Sequence, residues 1–178
     1  MRVLMSWGEG CEMSRSPLSR VEIRALFEFL RAELRGSDVY REALGRLGLR
    51  ALGSVGLHFC GDEEMRALQL RYRRLDRTTD VLSFPILEAP GAREMLARLP
   101  AGERSWGDLV VSLATVERGA RRGRRPVREE LSEVLIHGFL HLLGMDHVVG
   151  RGVTVRDARA MKALQRKLFH AWVKARGA

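Results

Sequence analysis

Ile136-His137-Gly138-Phe139-Leu140-His141-Leu142-Leu143-Gly144-Met145-Asp146-His147 holds three of the chain's five histidines. His137 and His141 are four residues apart. On an α-helix that spacing puts both imidazoles on one face, one turn from each other. Gly144 suits an exit from the helix in the left-handed conformation. Met145 and Asp146 then make a turn that can bring His147 back to the same point. Three neutral imidazoles with a fourth position left open form the ligand set of a catalytic zinc site, not of a closed structural one. A histidine pair at this spacing is weak evidence alone; the glycine break and the third histidine, preceded by aspartate, make it a metal-site pattern. Zinc is the expected ion, although imidazole also takes nickel, copper and iron.

The residue after the first histidine is as informative. Metallopeptidases of the H-E-x-x-H type carry their general base there. This chain has Gly138, so a base has to come from another segment.

Upstream, short apolar segments alternate with amphipathic ones. Arg2 to Trp7, Gly53 to Cys60, Val81 to Pro85 and Trp106 to Ser112 read as strands, the third closed by proline. Ser19, with Glu22 three residues on, makes a capping box for a helix to about Leu34, with Ile23, Leu26, Phe27, Leu30 and Leu34 facing the core. Tyr40 to Leu47 reads as a short helix. Asp62 is expected to cap a helix through about Tyr72. Glu88 to Ser105, with Pro90, Gly91, Pro100 and Gly102, reads as an excursion from the core, with a helical turn or two between Arg93 and Leu99. Pro126 suits the first turn of a helix that runs to Leu143 and carries the histidine pair. Val153 to Val173 reads as a last helix with Val155, Ala158, Met161, Leu164, Leu168 and Trp172 as its buried stripe. The class is α/β (α+β): a small mixed sheet of about four strands packed with helices, in one domain over residues 1–178.

Charge is unbalanced, with 31 basic against 22 acidic residues and a net charge of +9. Only Lys162, Lys167 and Lys174 are lysines, so 28 of the basic residues are arginine. Arginine forks bind phosphate with two hydrogen bonds and stack on bases, which favours a nucleic-acid partner, but genomic base composition or heat adaptation would account for the arginine excess equally well. Two clusters stand out: Arg71, Arg73, Arg74 and Arg77, and then Arg118, Arg121, Arg122, Arg124, Arg125 and Arg128. Asp108 is a candidate to support the metal site, or simply to cap a turn. Glu130 and Glu133 lie a turn or two before His137 and are candidates to orient an imidazole, although complementing the dipole at the start of the helix explains them as well. His58, inside a strand, reads as structural. No apolar run is long enough to span a bilayer. Met1 to Trp7, followed by Gly8 and Glu9, is too short for a signal peptide. Cys11 and Cys60 form no metal or redox motif, which points to free thiols and a cytoplasmic location.

The histidine stretch resembles the signature of the YbeY family of bacterial endoribonucleases, H-G-x-L-H-L-x-G-x-D-H, at His137, Gly138, Leu140, His141, Leu142, Gly144, Asp146 and His147. Tyr72-Arg73, Asp76 and Thr79-Asp80-Val81-Leu82-Ser83-Phe84-Pro85 match a second landmark, and Gly107-Asp108-Leu109 a third. Thr78 stands where proline is usual, Met145 where an aromatic residue or histidine is common, and the Glu88–Ser105 segment is longer than typical. The resemblance implies a zincin-like metal-binding helix with one zinc ion on His137, His141 and His147, and Arg73 as the arginine important for activity. It implies a single-strand-specific, metal-dependent endoribonuclease acting in maturation of the 3′ end of 16S ribosomal RNA and in ribosome quality control. Its partners would be ribosomal RNA and the small ribosomal subunit. Arg71, Arg74, Arg77, Arg121, Arg122, Arg124 and Arg125 are then candidates to draw in the RNA backbone. Two other readings stand beside this one: a metallopeptidase-like hydrolase, and a ribosome-assembly binding factor whose metal is mainly structural.

Overall fold

A computed structural model describes residues 1–9, 11, 15–148 and 153–177. In chain order it contains β1 (Arg2–Trp7), α1 (Arg20–Leu34), α2 (Asp38–Leu47), β2 (Ser54–Cys60), α3 (Asp62–Arg73), β3 (Val81–Pro85), α4 (Ala92–Ala97), β4 (Ser105–Ser112), α5 (Leu113–Gly123), α6 (Val127–Leu142) and α7 (Val155–Gly177). The four strands form one mixed sheet in the order β1-β2-β4-β3. β1 and β4 run parallel to β2, and β3 lies antiparallel on β4 at the edge, where Pro85 costs no ladder hydrogen bond.

The four expected strands and the expected helices are present. The Ser19 capping box is complete: the Ser19 hydroxyl accepts from the Glu22 N–H, and the Glu22 carboxylate accepts from the Ser19 N–H at 2.9 Å. The same carboxylate group receives Arg128 at 2.5 Å and Arg176, so one acid ties together the starts of α1 and α6 and the end of α7.

α6 lies across one face of the sheet and is buried on nearly every side. Leu131, Leu135, Ile136, Phe139 and Leu142 are fully enclosed, and each stabilises the fold by about 2 kcal/mol through area removed from water. Phe139 meets the edges of Phe27 (5.7 Å between centroids) and Trp106 (6.3 Å), which locks α6 between α1 and β4. Gly138 is the point of closest approach. A Cβ there would stand 2.9 Å from Leu109 Cδ2 and 3.2 Å from Val81 Cγ2. Ser83 of β3 donates to the Gly138 carbonyl at 3.2 Å, pinning the helix to the edge strand.

Four details differ from the sequence expectation. Asp62 does not cap α3: the capping position is Gly61, with no side-chain cap. The Asp62 carboxylate instead accepts from Ser112 (2.8 Å), Thr115 (3.0 Å) and Arg118 (2.6 Å), joining α3 to the start of α5. α5 itself was hidden inside the second basic cluster, because only Leu113, Val116 and Ala120 supply its buried stripe. The 88–105 excursion is anchored: α4 buries Ala92 and Leu96 in the core. Finally, α7 begins at Val155, whose side chain is exposed; the buried stripe starts at Ala158.

Candidate metal centre

α6 ends in a full Schellman turn. The Gly144 N–H bonds the His141 carbonyl at 2.9 Å and the Met145 N–H bonds the Leu140 carbonyl at 3.1 Å, with Gly144 at φ +83°. A residue with a Cβ would be strained at that angle, so the turn depends on the glycine. Asp146 then folds the chain back, its carboxylate accepting the N–H groups of His147 (2.6 Å) and Val148 (3.0 Å). Burial pushes that carboxyl up, but the two N–H bonds outweigh it and hold Asp146 below the usual aspartate range.

The result brings the three histidines together. Their rings stand 4.7, 4.9 and 5.3 Å apart between centroids, and one nitrogen from each falls within 4.8 Å of the others. His137 Nε2 and His141 Nε2 are 3.2 Å apart. His147 Nδ1 is buried with no hydrogen-bond partner. Burial, and then the neighbouring His137, lower His141 to about 4; the same two causes lower His147. Both imidazoles are therefore neutral near pH 7, as ligands must be. Three imidazoles with one nitrogen of each gathered around one point fit a divalent metal ion.

Support for His137 comes through a residue the sequence reading missed. His137 Nδ1 lies 2.8 Å from Gln165 Oε1, and Gln165 Nε2 donates to Glu133 at 3.0 Å. Glu133 can only accept, so the amide must turn its NH2 to Glu133 and its oxygen to His137. His137 then carries its proton on Nδ1 and leaves Nε2 bare. Arg125 completes the chain by binding both Glu133 and Glu130. Glu133 thus orients the imidazole at one remove, and Glu130 helps to hold Arg125. Gln165 is on α7, 28 residues from His137.

The histidines open onto a cavity of about 520 Å³ whose wall includes Arg73, Asp80, Ser83 and Glu88. Arg73, from the last turn of α3, is exposed and has no carboxylate partner among the described residues. Asp80 is occupied by the Val81 N–H and the Thr79 hydroxyl, whereas Glu88 has no hydrogen bond or ion pair among the described residues. Asp108 does not line the histidine cavity, although it lines a neighbouring groove with Arg73, Ser83 and Glu88. On β4 it points to the opposite face of the sheet from Leu109, into a groove shared with His58 and Gly56. His58 there bonds Ser6 (2.8 Å) and Glu64 (2.9 Å), linking β1, β2 and α3.

The arginine candidates separate. Arg71, Arg74, Arg77, Arg121, Arg122 and Arg124 are exposed. Arg74 and Arg124 sit at the left-handed ends of α3 and α5. Arg125 is half-buried and committed to Glu130 and Glu133.

The sequence model of the family described as Endoribonuclease YbeY matches residues 27–173. The chain belongs to the YbeY family. A relative named Endoribonuclease YbeY from Anaeromyxobacter sp. (strain Fw109-5) is 41% identical over 132 residues, which cover 74% of this chain and 59% of the relative. Another of that name, from Aquifex aeolicus (strain VF5), is 34% identical over 139 residues, covering 76% of this chain and 85% of the relative. The chain thus spans little more than half of the Anaeromyxobacter YbeY but most of the Aquifex one. The solution structure of TM1509 from Thermotoga maritima has the same fold, with a TM-score of 0.51 at 24% identity over 98% of this chain and 93% of that one.

Proposed function

We propose that this YbeY chain is a single-strand-specific, metal-dependent endoribonuclease, with His137, His141 and His147 holding one zinc ion and Arg73 binding the scissile phosphate. The convergence of three imidazoles, beside an arginine with no carboxylate partner among the described residues, in one open cavity carries this reading, and the family supports it. A bound zinc ion would supply Lewis acidity toward a phosphoryl oxygen and lower the pKa of water. The chain's own residues do the rest. Arg73 offers a fork of donors to the phosphate and stabilises negative charge growing on it. Gln165 keeps the His137 proton on Nδ1, away from the ion. Val81, Leu82 and Pro85 give the cavity an apolar wall that strengthens those charge interactions by limiting water. The exposed Arg71, Arg74 and Arg77 extend the basic surface along the end of α3 and the loop after it and would hold neighbouring phosphates.

In this reading the substrate is ribosomal RNA, processed at the 3′ end of the 16S species and surveyed for quality on the small ribosomal subunit. Residues 1–178 act as one cytoplasmic domain. No helix among the described residues is long and apolar enough to cross a bilayer.

A peptidase mechanism fits poorly, because position 138 carries no glutamate and a Cβ there would press on Leu109 Cδ2 and Val81 Cγ2. The test is cleavage of a single-stranded RNA by purified protein beside His141→Ala, with metal content measured in both. Cleavage with near-stoichiometric zinc in the wild type, and neither in the variant, is expected. Metal without cleavage would move the conclusion to an assembly factor with a structural metal.

A further inference from the structure

A second basic cavity lies on the other side of α2 from the histidine turn. α2 presents Glu42, Ala43 and Arg46 toward Gly144–Asp146. Its other flank presents Tyr40 and Arg41 to a cavity of about 290 Å³ that Arg31 and Arg35 of α1, and Arg50 before β2, also line. No acidic side chain lines it. Arg41 is held by Asp38, and Arg31 has a 3.4 Å contact with Glu28, whose carboxylate also takes the Met1 amino group. Arg35 and Arg50 have no carboxylate partner among the described residues. All four arginines are exposed, and the two without a carboxylate partner leave a local positive field that attracts an anion.

Tyr40 gives the independent observation. The residue is only 5% exposed, and its ring packs on Trp106 at 5.0 Å. Its hydroxyl has no hydrogen-bond partner among the described residues, yet it reaches the cavity beside Arg31 and Arg35, whose charges act on it. Burial raises that phenol, so it stays protonated and is available as a donor. The C-terminal end of α1 accounts for basic residues at 31 and 35 through the helix dipole. It does not account for Arg50, nor for a tyrosine whose ring is buried and whose hydroxyl is open to solvent beside these arginines.

We infer that this cavity is a phosphate-binding site, in which the Arg35 and Arg50 forks and the Tyr40 hydroxyl donate to the oxygens of one phosphate group. Every polar side-chain group on its wall is a donor and none is an acceptor only, which matches a tetrahedral oxyanion. The phosphate comes either from the backbone of an RNA strand that continues past the histidine cavity or from a small free phosphate. The RNA source rests on the endoribonuclease reading; the site itself does not.

The experiment has two arms, both read without cleavage. Inorganic phosphate is titrated while the aromatic-ring resonances of residue 40 are followed by NMR. A single-stranded oligoribonucleotide is then bound to His141→Ala protein at several salt concentrations. Saturable Tyr40 shifts are expected in the wild-type protein, weaker binding in Tyr40→Phe, which keeps the core ring, and none in the folded Arg35→Ala/Arg50→Ala variant. In the second arm, adding the double substitution to His141→Ala should weaken RNA binding about tenfold and lower the salt slope by about 0.7 for one lost phosphate. Phosphate shifts with unchanged RNA binding would assign the site to a small phosphate. No response in either arm overturns the inference. A wild-type protein that binds in both arms but never cuts RNA would overturn the nuclease reading and leave this site standing.

Discussion

Gln165 Oε1 lies 2.8 Å from His137 Nδ1, and the other end of the same amide is held by Glu133. This fixes which nitrogen of His137 is free before any metal arrives. Partners of this kind commonly contribute 10–100-fold to metal affinity. Gln165→Ala is therefore expected to weaken zinc binding by about 10–100-fold against a competing chelator. Nitrogen chemical shifts of His137 in the metal-free protein should change from a single Nδ1–H tautomer to a mixture. Unaltered affinity together with an unaltered tautomer would remove Gln165 from the site.

Arg73 stands on the same cavity as the histidines but belongs to α3, outside the metal-binding turn. Its loss should therefore separate chemistry from metal. Arg73→Ala is expected to keep full zinc content while kcat on single-stranded RNA falls by about 10²–10³, the usual cost of losing one donor to a developing oxyanion. Arg73→Lys should recover only part, since a point charge replaces a fork. Equal loss of metal and activity would mean that Arg73 acts on the fold of the site and not on the phosphate.

The histidine turn was legible because everything that shapes it is local: a four-residue spacing, a glycine at the left-handed position and an aspartate that bonds the next N–H groups. The strands were legible for the same reason, through their apolar runs and bounding turns. What the sequence concealed is tertiary. Gln165 reaches His137 from another helix, with nothing in its own neighbourhood to mark it. Arg125 looked like its arginine neighbours, and only the fold shows that two glutamates on α6 claim it. Asp108 precedes Leu109 on β4, and strand alternation sends the two to opposite faces, so Asp108 faces a groove and not the core that holds the histidine helix.

The depressed His141 makes the metal-free protein sensitive to mild acid. In the unfolded chain the imidazole takes a proton as pH falls through about 6.5; in the folded chain burial and His137 delay this to about 4. The unfolded state thus binds more protons between those values, and stability is lost as pH falls across that window. Between pH 7.5 and pH 5 the loss amounts to about 2 kcal/mol if His141 acts alone, with His147 adding in the same direction. Asp62, held low chiefly by Arg118, and Glu22, held low chiefly by the Ser19 N–H, add their own losses only at more acidic pH. Urea unfolding of chelator-treated protein at pH 7.5 and pH 5 should show the drop, and His141→Asn should flatten it. Superimposable curves for the wild type would contradict the assignment.

Glu88 is the remaining acid on the cavity wall whose carboxylate is uncommitted, since Asp80 and Asp146 are engaged by backbone N–H groups. It follows β3 directly, at the end of the 3-10 turn Ile86–Glu88. Gly138 cannot supply the base that a peptidase carries at that point, and a glutamate from the edge strand's exit reaches the cavity without crowding the helix against the sheet. As a hypothesis, Glu88 accepts the proton of the attacking hydroxyl, whether that belongs to water or to the ribose 2′ position. Glu88→Gln keeps the shape and removes the basicity, so kcat should fall by about 10²–10⁴ while zinc content and RNA affinity hold. The products then identify the nucleophile: a 2′,3′-cyclic phosphate end marks the ribose hydroxyl, and an end with a linear phosphate from the outset marks water. A Glu88→Gln protein that cuts at the wild-type rate would exclude this carboxylate and leave proton removal to a group on the substrate.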